Sequence, residues 1–273
     1  MRTIVYILCP ARSGSTLLGN LLGSHSQVQH IGEIPAPLRK NNPFRCRSCV
    51  DEPCPLWGSA LREETVRDVY RAFTQTEDRT RAGVIYDAVF PVFENCTHVI
   101  DSSKSLAWVR FNVPLSRYRF KFVFLQRDLR GCWASFKRNN PEDYIDQLPR
   151  LKRKAAALEA FRETLPAIDR HNVAYEALMK NPREVTEELC RFLGLRFEAP
   201  MLDYYRFPHH LIGGNPGPVL QFHRAQARPN PAFLTEIWAP ELRAFYEDQP
   251  VGFIFDERWK TELSPDDLKR FEA

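Results

Sequence analysis

The chain has 273 residues, of which 44% are hydrophobic, enough to bury one substantial core. It carries 38 basic and 34 acidic residues, a formal net charge of +4, which excludes a general nucleic-acid binder but suits a polyanionic small ligand in a local basic pocket. No stretch approaches the roughly 20 apolar residues of a membrane span, and the run Ile4–Cys9 is too short for a secretory signal. Seven cysteines, an odd number, argue against a disulfide scaffold, so we expect a soluble cytoplasmic protein.

Short apolar runs alternate with helical patterns, which predicts a single α/β domain over residues 1–273 with a central, mainly parallel sheet flanked by helices. The predicted strands are Thr3–Cys9, Thr97–Asp101, Phe120–Gln126 and Asn172–Tyr175, and the clearest helices are Thr16–Leu22, Leu61–Phe73, Lys152–Thr164 and Pro182–Leu193. Two irregular stretches are a cysteine-containing insertion at about 36–58 and a glycine- and proline-rich loop at about 208–231. Loops of this length in a compact domain are usually lids or binding loops.

The first predicted strand leads directly into a Gly/Ser loop with the sequence Pro10-Ala11-Arg12-Ser13-Gly14-Ser15-Thr16-Leu17, and a helix follows. A tight turn at Gly14 would bring consecutive backbone N–H groups together, and the helix start adds further N–H groups and a positive dipole. Arg12 adds a permanent charge, and Ser13, Ser15 and Thr16 add hydroxyl donors. This chemistry suits a phosphate-type group, although a plain serine-capped helix would share the pattern. The spacing is not that of a Walker A motif.

A second polar element follows the strand that ends at Gln126. Arg127 comes directly after the strand, and the next helix carries Ser135 eight positions later. About two helical turns separate Asp128 from Ser135, so Arg127 and Ser135 could hold one phosphate from two sides.

These segments resemble, in the same order, the 5′-phosphosulfate loop and the 3′-phosphate element of sulfotransferases that use 3′-phosphoadenosine 5′-phosphosulfate (PAPS). The segments Val173–Pro182 and Cys190–Leu195 are similar to the strand and helix that follow in that superfamily. The resemblance, to bacterial-type members, implies a P-loop-like three-layer fold with PAPS as co-substrate and 3′,5′-adenosine bisphosphate (PAP) as product. It implies that residues 12–17 bind the 5′ end, that Arg127 and Ser135 bind the 3′-phosphate, and that Tyr175 lies against the adenine, although Tyr175 could equally be a core residue.

Sulfuryl transfer requires in-line alignment, stabilisation of the leaving phosphate and a base for the acceptor hydroxyl. The guanidinium of Arg12 is permanently charged and is therefore suited to stabilise the leaving phosphate. Glu33 is the favoured base, because a strand after the first helix would return it towards the loop, and several sulfotransferase groups place a catalytic glutamate there. Lys104, at the end of a predicted strand, is the rival and is better suited to contact the sulfuryl or bridging oxygen. The weaker base candidates are His25, His30, His209 and His210.

Two further segments carry polar or metal-binding residue types. Gly213-Gly214-Asn215 resembles a loop that closes over the nucleotide in bacterial relatives, but the arginine that often follows is missing, and Arg224 or Arg228 could replace it. Cys46-x₂-Cys49-x₄-Cys54 is half of a zinc pattern and lacks a clear fourth ligand. Packing thiols or a local disulfide are therefore favoured over zinc, and no catalytic metal is expected.

The sequence thus predicts an O-sulfotransferase that acts on a hydroxyl of a small-molecule, lipid or carbohydrate acceptor, with no nucleic-acid partner. The alternatives are a P-loop-like kinase or NTPase, for which Asp101 could be the magnesium ligand, and a non-catalytic nucleotide-binding protein. The acceptor and the oligomeric state stay open. The aromatic residues Trp57, Tyr86, Phe90 and Phe93 could line an acceptor pocket or belong to the core.

Overall fold

The computed structural model describes residues 1–35, 44–49, 53–76, 79–228 and 240–272. Within these ranges five strands form one parallel sheet in the order β2-β3-β1-β4-β5. The strands are β1 (Thr3–Leu8), β2 (Val28–Gly32), β3 (His98–Asp101), β4 (Arg119–Gln126) and β5 (Arg170–Ala174). The predicted α/β fold with a central parallel sheet is confirmed, and the four strands with predicted bounds agree to within two residues.

Helices connect the strands and cover both faces of the sheet. They are α1 (Ser15–Gly23), α2 (Glu63–Arg71), α3 (Val84–Val92), α4 (Leu106–Asn112), α5 (Leu129–Asn139), α6 (Tyr144–Glu163), α7 (Tyr175–Lys180), α8 (Pro182–Leu193), α9 (Pro216–Ala225), α10 (Pro240–Asp248), α11 (Trp259–Glu262) and α12 (Pro265–Glu272). The α6 helix begins eight residues before the predicted Lys152, because it continues through Pro149. A 3₁₀ segment, Ala199–Arg206, packs against α1.

The central strand β1 divides the core into two layers. All six of its residues are buried, and successive side chains point to opposite faces of the sheet. Ile4 and Tyr6 join the core beneath α2, α3 and α4, whereas Val5 and Ile7 join the core beneath α1, α7 and α8. The result is the three-layer arrangement expected for a parallel sheet with both faces covered.

The carboxyl edge of the sheet is where the predicted site residues meet. The connections leave β1 and β4 towards opposite sides of the sheet, so these two neighbours flank the topological switch point. Each strand ends one to four residues before a predicted site residue: Arg12 after β1, Glu33 after β2, Lys104 after β3, Arg127 after β4 and Tyr175 after β5.

The aromatic residues considered for an acceptor pocket belong to the core. Trp57, Tyr86 and Phe90 are buried in the layer beneath α2, α3 and α4, and Phe93 packs against that layer. The Tyr86 hydroxyl donates to the Asp101 carboxylate at 2.7 Å, so its polar end is also satisfied inside the protein. The core interpretation is therefore the correct one for these residues.

Parts of the two irregular stretches lie outside the described residues, namely 36–43 and 50–52 in the insertion at 36–58, and 229–231 in the loop at 208–231. The bounds of both stretches stay predictions. Among the residues that are described, no helix combines the length and apolar character needed to span a membrane.

Candidate active site

A cavity of about 530 Å³ opens at the carboxyl edge of the sheet. Its wall contains the predicted site residues Arg12, Gly14, Ser15, Thr16, Leu17, Glu33, Lys104, Arg127, Ser135, Tyr175, Gly213, Gly214 and Asn215. Ser13 is the exception, because it is buried beneath the loop with its Oγ 3.4 Å from Cys132 Sγ. The structure therefore brings together residues from segments spread between positions 12 and 215.

The Gly/Ser loop turns sharply at Gly14, whose φ of 98° is left-handed. A side chain there would also meet the Tyr175 ring, since a Cβ on Gly14 would lie 3.0 Å from Tyr175 Cδ2. The α1 helix begins at the next residue, and the N–H groups of the first turn of a helix have no partner inside the helix. The amides of residues 15–17 are consequently suited to donate to an anion in the cavity.

Arg127 links the end of β4 to this loop. Its Nη1 donates to the Arg12 carbonyl at 2.8 Å, and its Nη2 donates to the Asp256 carbonyl at 3.0 Å. The guanidinium also lies over the Tyr175 ring, 4.3 Å from its centroid. Burial raises the pKa of Tyr175 to about 12, which keeps the phenol neutral. The two predicted anchors, after β1 and after β4, are thus joined by one side chain.

A cluster of arginines lies on the Arg127 side of the cavity. Asp256 forms ion pairs with Arg258 at 2.8 Å, with Arg138 at 2.9 Å and with Arg127 at 3.8 Å. Burial acts to raise the pKa of Asp256, but the hydrogen bonds from Arg258 and the charges of the arginines outweigh it and lower the pKa to about 2. The three guanidinium groups therefore surround one ionised carboxylate, and of these four residues Asp256 and Arg127 line the cavity.

Glu33 and Lys104 form an ion pair between the ends of β2 and β3. Both side chains are largely buried and both line the cavity. Lys104 Nζ also lies 3.2 Å from Ser15 Oγ, so the ammonium sits between the carboxylate and the Gly/Ser loop. Lys104 adopts a left-handed φ of 60°, and its carbonyl accepts from Lys154 Nζ at 2.5 Å. The pair therefore places a carboxylate and an ammonium group next to the Gly/Ser loop.

The loop that contains Gly213 reaches the cavity by pairing with β2. Ile212 N donates to Ile31 O at 3.1 Å, and Glu33 N donates to Ile212 O at 2.8 Å. Asn215 N then donates to Thr16 Oγ1 at 2.8 Å. These bonds seat the Gly-Gly-Asn segment directly on the Gly/Ser loop. That the segment covers a bound nucleotide stays a prediction.

Comparison of the sequence with models of known protein families shows to which family the chain belongs. The profile of the sulfotransferase family matches residues 5–199, which is well over half of the chain. The chain belongs to the sulfotransferase family. The match includes the Gly/Ser loop, Glu33, Lys104, Arg127, Ser135 and Tyr175.

Solved structures of other sulfotransferases share the fold. The sulfotransferase domain of the Synechococcus PCC 7002 olefin synthase is 19% identical, with a TM-score of 0.59 over 100% of this chain and 95% of that domain. The sulfotransferase domain of the curacin biosynthetic pathway is 18% identical, with a TM-score of 0.53 over 96% of each chain. A search of curated proteins returned no match. At these identities the likeness concerns the P-loop-like fold.

Sequence reasoning about this sulfotransferase missed several residues of the cavity wall, which also contains Arg47, Tyr204, Gln221 and Tyr246. Arg47 lies inside the cysteine pattern, and no local signal distinguished it from a surface arginine. The two arginines suggested for the covering loop are elsewhere: Arg224 donates to the carbonyls of Tyr246 and Gln249, and Arg228 is exposed. Neither lines the cavity, so the structure gives no support to that suggestion.

The histidines of this sulfotransferase give no support to a histidine base. His30 is buried between Asn20 Oδ1 at 2.9 Å and Ser102 Oγ at 3.1 Å, and burial lowers its pKa to about 3. His25 and His209 are also buried, with backbone carbonyls as partners. His210 lies beside the cysteines. None of the four lines the cavity.

Asp101, the magnesium ligand of the NTPase alternative, is fully buried away from the cavity. Its carboxylate accepts from the Tyr86 hydroxyl at 2.7 Å, from Trp108 Nε1 at 2.8 Å and from Ser103 N at 2.8 Å. Burial raises its pKa. These contacts make Asp101 a structural support for the end of β3, which argues against the NTPase alternative.

The pairing between β2 and the covering loop predicts the effect of Gly32→Ala. Gly32 has a φ of 86°, and a Cβ there would overlap the carbonyl oxygen of Ile212. Gly58→Ala is a matched control, because Gly58 has a φ of 89° and nothing within 4 Å of the new Cβ. Both variants carry the backbone strain, and we expect Gly32→Ala to lose about 1–3 kcal/mol more of the free energy of unfolding. Urea denaturation measures the difference, and equal losses would show that the loop does not pack on Gly32.

Proposed function

We propose that this chain is an O-sulfotransferase that moves a sulfuryl group from PAPS to a hydroxyl of a small-molecule, lipid or carbohydrate acceptor and releases PAP. The observation that carries the proposal is the position of two anion-binding elements on neighbouring strands, joined by the bond from Arg127 to the Arg12 carbonyl. PAPS carries one charged group at each end of its ribose. Two anchors facing one cavity match that distribution of charge.

The 5′ end of the nucleotide is assigned to the Gly/Ser loop. The amides of the first turn of α1 and the hydroxyls of Ser15 and Thr16 offer donors to phosphate oxygens. Arg12 adds a guanidinium that burial leaves charged, since arginine stays protonated in proteins even when its pKa is lowered. The Gly213–Asn215 segment lines the same cavity and is assigned to cover this end of the nucleotide.

The 3′-phosphate is assigned to Arg127 and Ser135. Arg127 is held in place by two carbonyl acceptors and by the Tyr175 ring, so its guanidinium is oriented before the ligand arrives. Ser135 presents its side chain from α5 to the same cavity. Tyr175, packed between Gly14 and Arg127, offers an aromatic edge to the adenine.

The reaction is assigned to the Glu33–Lys104 pair together with Arg12. The acceptor oxygen attacks sulfur, the bond from sulfur to the 5′-phosphate oxygen breaks, and PAP leaves with the bonding electrons. Glu33 takes the proton of the acceptor hydroxyl. Lys104, between Glu33 and Ser15, donates to the bridging or sulfuryl oxygen, and Arg12 stabilises the charge that develops on the leaving phosphate.

The first prediction of this function concerns Glu33→Gln. The wild-type protein is expected to release PAP from PAPS in the presence of a hydroxyl acceptor. The Glu33→Gln variant is expected to have a kcat roughly 10²–10⁴-fold lower, because the base is lost. PAP affinity is expected to change by less than about threefold, since the amide keeps the shape of the side chain. A coupled assay of PAP release across a panel of phenols, lipids and sugars measures turnover.

Glu94→Gln is the control for this variant, because Glu94 is exposed and does not line the cavity. It should retain wild-type turnover. Near wild-type turnover of Glu33→Gln would remove Glu33 as the base. Tight PAP binding by the wild-type protein with no turnover on any acceptor would favour a non-catalytic nucleotide-binding protein instead, and magnesium-dependent ATP hydrolysis would favour an NTPase.

The second prediction concerns the 3′ anchor. Ser135→Ala removes one hydrogen bond to a charged phosphate, which is expected to weaken PAP binding by about 10- to 100-fold. AMP has no 3′-phosphate, so its affinity should be unchanged in the same variant. Calorimetric titration of both ligands measures the two effects. An equal loss for PAP and AMP would place Ser135 away from the 3′-phosphate.

A further inference from the structure

Outside the cavity, four metal-ligand atoms from two distant segments converge. The Sγ atoms of Cys46, Cys49 and Cys54 and one ring nitrogen of His210 all lie within 4.8 Å of one another. His210 Nδ1 is 3.3 Å from Cys49 Sγ and 3.4 Å from Cys54 Sγ. His210 is 156 residues beyond Cys54 in the chain, which is why the cysteine spacing gave no sign of a fourth ligand.

The arrangement has the size of a tetrahedral zinc site. Zinc bonds of about 2.3 Å to sulfur and about 2.0 Å to nitrogen place tetrahedral ligand atoms about 3.5–3.8 Å apart. The observed distances around His210 Nδ1 are close to this range. All seven cysteines of the chain fall within the described ranges, and none of them forms a disulfide. The local disulfide considered from the sequence is therefore not formed.

We propose that Cys46, Cys49, Cys54 and His210 bind one structural Zn²⁺ ion. Three thiolates and one imidazole fill the four positions of a tetrahedral ion, so no position is left for a substrate or water. The ion is accordingly a structural element, separate from the sulfuryl-transfer chemistry proposed for the cavity.

The surroundings of the four residues orient them as metal ligands are usually oriented. The His210 ring stacks on Phe93 at a centroid distance of 5.3 Å, and the His210 carbonyl accepts from Trp57 Nε1 at 2.7 Å. Backbone N–H groups point at two of the sulfurs: Trp57 N at Cys54 Sγ, 3.3 Å away, and Ser48 N at Cys46 Sγ, 3.5 Å away. Such N–H donors stabilise thiolates, the form that binds zinc.

The position of the cluster gives the ion a function in the fold. Arg47, which lines the cavity, directly follows Cys46, and Gly213 comes three residues after His210. Hydrogen bonds also join the two segments, among them those from Arg47 N to Leu211 O at 3.0 Å and from Ser48 Oγ to His209 O at 2.6 Å. A zinc ion at this place would fasten together the two loop segments that form one wall of the cavity.

The test is the metal content of the full chain, purified under reducing conditions from zinc-supplemented culture. Mass spectrometry of the metal is expected to give about one Zn²⁺ per chain, falling to near zero in Cys54→Ser and in His210→Ala. Cys96→Ser is the matched control, because Cys96 is a half-buried thiol outside the cluster that donates to the His98 carbonyl. It should keep its zinc.

A second measurement on the unmodified chain covers the case in which the variants do not fold. Replacing zinc by Co²⁺ should give the visible bands of a tetrahedral thiolate site, and a chelator should expose three additional thiols to a thiol reagent. Zinc-free protein with no cobalt bands, a spectrum of octahedral cobalt, or full zinc retention in Cys54→Ser would each overturn the proposal. None of these readouts depends on PAPS, so the zinc site and the proposed activity can fail separately.

Discussion

The candidate site depends on the bond between the Arg127 guanidinium and the carbonyl of Arg12. β1 and β4 are adjacent strands whose connections leave in opposite directions, which opens a crevice between the loops that follow them. Arg127 bridges that crevice, and in doing so it fixes the turn at Gly14 relative to the start of α5. A rigid spacing between the two proposed anion-binding elements allows one ligand with an anionic group at each end to contact both.

The proposed catalytic groups reach the same crevice because all strands of the described sheet are parallel. Parallel strands end at one edge, so a residue just after a strand is placed at that edge whatever its position in the sequence. Glu33 and Lys104 follow the neighbouring strands β2 and β3, and they therefore form their ion pair beside the Gly/Ser loop. The pair is thus positioned by the backbone, and the Ser15 hydroxyl connects it to the loop.

Site residues that lie next to a strand end could be predicted from the sequence. Short apolar runs predict the strands, and the residues that follow them lie at the carboxyl edge of the sheet. Arg12, Glu33 and Arg127 were accessible in this way. Arg47 and His210 were not, because they lie in irregular segments whose positions depend on contacts between residues more than 150 positions apart, such as Ser48 with His209. The aromatic residues of α3 show a second limit of residue type: Tyr86 and Phe90 fitted both an acceptor pocket and the core, and only their burial assigns them to the core.

A crystal structure of the chain soaked with PAP tests the central claim most directly. The account predicts that the 5′-phosphate lies on the amides that follow Gly14, and that the 3′-phosphate lies within hydrogen-bonding distance of both Arg127 and Ser135. A nucleotide bound with its 3′-phosphate in solvent, or bound outside the crevice between β1 and β4, would contradict it.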